Sequence, residues 1–171
     1  MRVGARSLLF GVHQVVWHPV TVLIAWWMLY GRPSGREAIC IVVHDWGYWT
    51  CGEMDGPEGL KHPEGGAKVA GWLLGPTYRD LVLYHSRGYA VPAGVEPSRL
   101  CWADKASVLF DPPWWYLARA RLSGELGEYR REAALAGHVP LSASDAEWFA
   151  WLRGYMAEVV RRHGLVSRRA A

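Results

Sequence analysis

His44 and Asp45 stand side by side at the end of an apolar run, Ala38-Ile39-Cys40-Ile41-Val42-Val43, and are followed by Trp46-Gly47. An imidazole and a carboxylate on consecutive residues can hold one or two metal ions between them. Further candidate ligands recur along the chain: His18 upstream, then His62, His85 and Asp104 downstream. One ion needs about four to six donors, and helices supply them when each directs one side chain into a shared cavity. Four imidazoles and two carboxylates suit Mn, Fe, Zn or Co and leave room for two ions, with Asp45 as the bridge. Sulfur takes no part in this reading. A metal-dependent enzyme is the first expectation.

The elements that must position these residues are helices. Pro19 suits the first turn of a helix over Val20 to Tyr30, which Gly31-Arg32-Pro33-Ser34-Gly35 ends. A second helix, about Arg36 to His44, is nearly all apolar and is expected to be central to the core. Met54-Asp55-Gly56-Pro57-Glu58-Gly59 reads as a loop beside the site. His62-Pro63-Glu64 opens a third helix to about Leu74, and a fourth runs from about Tyr78 to His85. Ser98 caps a fifth helix carrying Cys101, Trp102, Asp104 and Leu109, which Pro112-Pro113 breaks. Trp114 to Tyr129 is helical with an interruption near Gly124. Ser144-Asp145-Ala146-Glu147 is a capping box leading to a helix through about His163, with Gly164 as its stop. No alternating strand pattern appears, so the expected fold is an all-α, single-domain helical bundle over residues 1–171.

Composition narrows the partners. With 171 residues, 51% of them hydrophobic and 20% charged, the chain can bury a sizeable core and is not a disordered sequence. Eleven Trp residues imply a large aromatic core or a substantial buried interface, for which a second copy of the chain is a candidate. The net charge is only +3, and Arg161, Arg162, Arg168 and Arg169 read as a solvated helix end rather than a nucleic-acid patch. Cys40, Cys51 and Cys101 form no C-x-x-C pair, and an odd count argues against a closed disulfide framework. A reducing cytoplasm is the compartment this favours. No charge falls between Arg6 and Arg32, a stretch long enough to span a bilayer. His13, Gln14, His18 and Pro19 interrupt it, so a buried core helix is preferred to a membrane one.

The pattern of a His, then a His-Asp pair, then a distal Asp resembles the HD-domain superfamily of helical metal-dependent phosphohydrolases. His18, His44-Asp45 and Asp104 occupy those positions, and Ala103-Asp104-Lys105 looks like the usual context of the distal Asp. Lys61-His62-Pro63-Glu64-Gly65-Gly66-Ala67, followed by His85, is similar to the two-metal HD-GYP branch. The match spans about residues 13 to 111, leaving the helices at about 114–163 outside it. Tyr48 stands where a Lys often follows the His-Asp-x-Gly segment, and the Gly-Tyr-Pro signature is absent. The resemblance implies hydrolysis of a small phosphate ester, such as a nucleotide, by metal-activated water. His18, His44, Asp45 and Asp104 then hold one ion, while His62 and His85 complete a second. The same six residues also look like the ligands of HD-type di-iron oxygenases, and a catalytically inactive, Trp-rich binding module is the third reading.

Each candidate has a plainer alternative. For His44 and Asp45 it is a buried ion pair, which is costly without a strong partner. For Asp104 it is a carboxylate on a helix face, for His62 a helix cap, and for His85 an exposed histidine. His13 is read as a core histidine or a neighbour of the substrate. Lys105 and Arg87, with Lys61, could neutralise substrate phosphate. Glu53, Asp55 and Glu58 read first as polar loop residues and only second as a general acid or base. Trp46, Tyr48 and Trp49 could stack on a base, with core packing the preferred reading.

Overall fold

Serine, proline and glycine punctuate the chain. In the computed structural model the segments between them are helices and turns, and no strand occurs among the described residues, which are 2–54 and 56–169 with side chains as far as Arg162. Helix α1 (Val3–Phe10) precedes α2 (Trp17–Tyr30) and α3 (Gly35–Val43), and a 3-10 segment, Trp46–Thr50, follows. Then come α4 (Pro63–Leu74), α5 (Pro76–Leu83), the single turn α6 (Arg87–Ala90) and α7 (Arg99–Ser107). Further 3-10 segments are Gly59–Lys61, just before α4, and Val108–Phe110, which precedes α8 (Pro113–Ser123), α9 (Glu125–Leu135) and α10 (Asp145–Arg169). The fold is all-α.

Local chemistry explains the boundaries. Ser34 and Glu37 form a reciprocal capping box on α3, and Ser144 with Glu147 does the same for α10. Gln14 accepts from the backbone N–H groups of Val16 and Trp17 at 2.9 and 2.6 Å, which starts α2 just ahead of His18. Proline begins α4, α5 and α8. Gly124, at φ 87°, makes the sharp break between α8 and α9 that a side chain would strain.

Three apolar clusters divide the interior among the described residues, the smallest being Leu8, Tyr48, Cys51 and Met54. Of the other two, one joins Val22, Trp26, Ile41, Ala67, Val82 and Leu100 from α2 to α7. The other joins Val12, Tyr116, Leu117, Leu126, Trp148 and Phe149 beneath the C-terminal helices. The candidate ligands lie on segments belonging to the Trp26 cluster.

Several expectations need correction. Helix α3 is not wholly central: Cys40, Ile41 and Val43 are buried, but Ile39 and Val42 face outward. Helix α2 buries Val22, Ala25 and Trp26 while Val20, Ile24, Trp27 and Met28 are exposed, so it is a half-buried helix rather than a core one. A run of apolar residues does not by itself say which side has a neighbour. The uncharged stretch is also divided, because α1 ends at Phe10 and a turn separates it from α2, and no described helix is long and apolar enough to cross a membrane. Only Trp26, Trp102 and Trp148 of the tryptophans are buried, so a large aromatic core does not explain the composition. Gly164 does not stop α10, which continues to Arg169; glycine inside a helix costs only about 1 kcal/mol. All three cysteines are buried and unpaired, and burial pushes the Cys40 and Cys101 thiols up to about 11.

One close backbone approach positions the site. A Cβ on Gly47 would lie 1.9 Å from the carbonyl oxygen of His62, and one on Gly66 would lie 2.2 Å from that of Val43. Bare glycine backbones thus let α4 sit directly on the turn after α3. Gly47→Ala is expected to push the two apart, costing about 1–3 kcal/mol or more and withdrawing His62 from Asp45. A lowered melting temperature together with weakened metal binding checks this; a melt and a metal affinity like the parent's would contradict it.

Candidate metal centre

Helix pairing brings distant residues to one point. Helix α2 packs along α7, α3 on α4, and α4 along α5. His18 in the first turn of α2 therefore meets Asp104 of α7, with Nε2 3.1 Å from Oδ1. His44 and Asp45 come from the end of α3, His62 from the start of α4, and His85 from just beyond α5. All six predicted ligands converge.

Asp45 sits between two imidazole pairs. Its Oδ2 is 3.3 Å from His18 Nε2 and 3.2 Å from His44 Nε2. Its Oδ1 is 3.7 Å from His62 Nε2 and 3.6 Å from His85 Nε2, and these two nitrogens are 3.1 Å apart. An ion with ligands at about 2.0–2.2 Å sets neighbouring donors roughly 3.0–3.6 Å apart, the range between octahedral and tetrahedral edges. The separations on the His18/His44 side fall inside that range, and the 3.6 and 3.7 Å on the His62/His85 side lie at its upper edge.

Hydrogen bonding prepares the imidazoles for this. His44, His62 and His85 each turn Nδ1 to the carbonyl three residues earlier, those of Ile41, Gly59 and Val82, at 2.7, 2.6 and 2.6 Å. Each carbonyl can only accept, so Nδ1 carries the hydrogen and each ring, when neutral, presents its Nε2 lone pair. His18 Nε2, His44 Nε2 and Asp45 Oδ2 are buried without a hydrogen-bond partner among the described residues. Buried polar atoms are seldom left so. A cation between them satisfies all three, so these residues fit a metal ion.

The carboxylates also draw a proton to His44, which an ion at its Nε2 would replace. Burial works against charge on Asp45, yet protonated His44 and the neighbouring His18 and His85 hold its carboxyl well below the usual range. Asp104 is likewise depressed: His18 and His44 outweigh its burial. Burial also opposes charge on His44, but Asp45 and Asp104 outweigh it and raise its pKa well above the ordinary value. His62 is driven down to about 3 by burial and by the charge of His85, which keeps its Nε2 lone pair available.

The centre borders a cavity of about 520 Å³ through His18 and Asp104, which line it together with Tyr48, His13 and Lys105. Lys105 has no ion-pair partner among the described residues, so it leaves positive charge beside the ligands. Arg87 is exposed on α6 and does not line the cavity, and Lys61 is also exposed. Glu58 accepts from the backbone N–H of Gly52, and Glu53 accepts from that of Glu58, so both serve the loop's own backbone. Asp55 lies outside the described residues. Tyr48 stacks on His62 with ring centres 4.2 Å apart and planes 6° from parallel, whereas Trp46 and Trp49 are exposed.

Two buried groups near the cavity were not anticipated. Glu125, at the start of α9, is fully buried and accepts from Ser7 Oγ at 2.6 Å, Val12 N at 3.1 Å, Tyr129 OH at 3.0 Å and Ser123 Oγ. His13 Nδ1 lies 3.2 Å from Glu125 and 2.9 Å from Ser7 Oγ. Because the Ser7 hydroxyl gives its hydrogen to Glu125, the His13 nitrogen must donate. Burial opposes charge on His13, but Glu125, Asp45 and Asp104 outweigh it and raise its pKa. Asp111 accepts from Trp17 Nε1 at 3.0 Å and pairs with Arg119, which also donates to the carbonyls of Gly11 and Val12 at 3.1 and 3.2 Å. Together they tie the turn before α2 to α8 and α9. Nothing local marks Glu125 in the sequence; its burial follows from Gly124 and from Gly11, where a Cβ would lie 2.2 Å from its carboxylate.

Comparison of the chain with protein-family models, with curated proteins and with solved structures finds no match.

Proposed function

We propose that this chain is a metal-dependent phosphohydrolase that uses the HD-domain ligand pattern on a small phosphate ester. One observation carries the reading. The two oxygens of Asp45 face separate imidazole pairs, His18/His44 and His62/His85, and through His18 and Asp104 this cluster borders a cavity where Lys105 is without an ionic partner among the described residues. An ion pair shared through one carboxylate, beside a lone cation, suits an anionic substrate.

His18, His44, Asp45 and Asp104 would hold one divalent ion, and Asp45, His62 and His85 a second, of Mn, Fe, Zn or Co. Ions held there would supply Lewis acidity, lowering the pKa of water towards neutrality and polarising a phosphoryl oxygen. Lys105 binds and orients the phosphate through its charge. His13, fixed through Nδ1 by Ser7 and Glu125, holds a proton for the leaving oxygen. Tyr48 covers the face of His62 and keeps water from it. Arg87 takes no part, because it stands outside the cavity. The buried, unpaired cysteines support the cytoplasm as the working compartment.

Metal content per chain, measured by elemental mass spectrometry on protein purified anaerobically without chelators, tests this together with phosphate release. About two equivalents are expected, with phosphate release abolished by a chelator and restored by metal. Oxygen uptake without phosphate release would transfer the site to the di-iron oxygenase reading. No bound metal after reconstitution would leave a binding module and end the enzymatic reading. Saturating metal is also expected to raise the melting temperature, by about 4 kcal/mol of stabilisation at a thousandfold excess over Kd; an unchanged melt contradicts a resident ion.

A further inference from the structure

The cavity extends well beyond the metal ligands. Past Asp104 and Lys105 its walls include Val108, Tyr116, Trp148, Trp151, Leu152 and Met156, from the 3-10 segment after α7 and from α8 and α10, with Ala133 of α9 beside them. A phosphate group takes up the space of three or four waters, ~100 Å³ at about 30 Å³ each. Most of the 520 Å³ therefore remains for the organic part of a substrate.

Several polar groups line that end, but most of them are occupied or stand at the solvent rim. Tyr129 donates to Glu125, and Asp111 is paired with Arg119 and Trp17. Glu132 and His138 are exposed at the rim, where His138 stacks on Trp151 with ring centres 5.0 Å apart. Among the described residues the hydroxyls of Ser107 and Tyr116 and the indole N–H of Trp148 remain in the interior, all at buried positions. A sugar and a base edge need several fixed donors and acceptors, because a site built for them must pair them when buried. Aromatic and aliphatic walls instead favour surface that prefers to leave water.

We infer that the substrate carries an apolar tail, an alkyl or aryl group of up to about ten carbons by volume, and that the compartment between α8 and α10 binds it. The inference rests on the phosphohydrolase reading for the phosphate end only. The tail compartment exists whether or not phosphate is released.

Binding of alkylphosphonates, which carry no ester bond to hydrolyse, tests the compartment directly. Affinities of methyl-, butyl- and octylphosphonate for the manganese-loaded protein are measured by calorimetry below the micelle concentration. The expected gain is about fourfold per methylene, levelling off once the compartment is full. Met156→Gln and Leu152→Asn are expected to reduce the octyl-to-methyl affinity ratio at least severalfold. That ratio is taken within one protein, so a partly unfolded sample does not alter it.

Equal affinities along the series would overturn the inference, as would a nucleoside monophosphate binding more tightly than octylphosphonate. Hydrolysis of methyl phosphate alongside a flat series would sink the tail while sparing the hydrolase. Tight octylphosphonate binding without phosphate release from any ester would do the reverse.

Discussion

Replacing Asp45 with alanine is expected to empty both halves of the metal centre at once. Asp45 is the residue whose two oxygens approach both imidazole pairs, at 3.2–3.3 Å on one side and 3.6–3.7 Å on the other. Without it His18 and His44 share no carboxylate oxygen with His62 and His85, and the negative charge that offsets two cations is halved, leaving Asp104. Loss of a partner one shell further out already costs about 10–100-fold in metal affinity or activity, and a shared ligand must cost more. Metal content should fall from about two equivalents to none, and phosphate release by about a thousandfold or more.

His85→Ala provides the contrast. It removes one donor from one side, so one equivalent should remain with His18, His44, Asp45 and Asp104. Elemental analysis of the two variants side by side distinguishes a shared centre from two independent ones. Asp45→Ala with full metal content and activity would defeat the proposed centre.

Glu125→Ala is expected to be the most destabilising substitution outside the ligands. Its carboxylate receives Ser7, Val12, Ser123, Tyr129 and His13, all of which lose their acceptor at once in a buried place. Breaking a buried charged network from one side costs about 3–5 kcal/mol, a large part of the stability of a domain this size. Chemical denaturation measures it, and a loss under 1 kcal/mol would mean the network contributes little.

The pH dependence has a definite sign. Burial opposes ionisation of Glu125, but His13, Ser123 and Ser7 outweigh it and hold its pKa at about 2, against an ordinary 4.5. A depressed carboxyl stabilises the fold fully above its unfolded pKa, and the contribution is lost as pH falls from about 4.5 towards 2. The difference corresponds to something on the order of 3 kcal/mol. His13 has the opposite sign: its pKa is raised above 6.5, so its share is complete below 6.5 and disappears as pH rises through the folded value. The pair therefore stabilises most between about 4.5 and 6.5. Glu125→Gln should flatten the acid limb while keeping the packing, and an unchanged acid limb would assign it to other carboxylates.

Much of the fold could be read from local signals. Ser34 and Ser144 with their glutamates, and Pro63 and Pro113 at helix starts, act within one turn of backbone, so the helices they begin appear near the expected positions. Glycines divided into two kinds. Gly124 marks a break because its φ is positive, whereas Gly164 simply continues α10. The residue type is the same in both cases, and only the surrounding backbone decides.

The candidate site divides along the same line. Histidine and aspartate are rarely buried without a partner, so the types and order of His18, His44-Asp45, His62, His85 and Asp104 marked them before any coordinates. Their convergence depends on α2 meeting α7 and on Gly47 and Gly66 admitting α4. Lys105 and Arg87 could not be separated along the chain, since both are ordinary cations near the motif. The fold turns one towards the cavity and the other to solvent.

The amino-acid sequence by itself determined the helical elements, the absence of sulfur from the candidate ligands and the set of side chains able to hold metal. These depend on residue chemistry and on spacings of a few residues. Tertiary structure alone decided that Asp45 stands between two imidazole pairs, that α2 and α3 each leave an apolar face exposed, and that Glu125 is buried with His13 beside the cavity. Each of these depends on which helix faces lie against one another, in the last case across more than a hundred residues of chain, between Ser7 and Glu125. Close packing fixes that arrangement, and no local pattern encodes it.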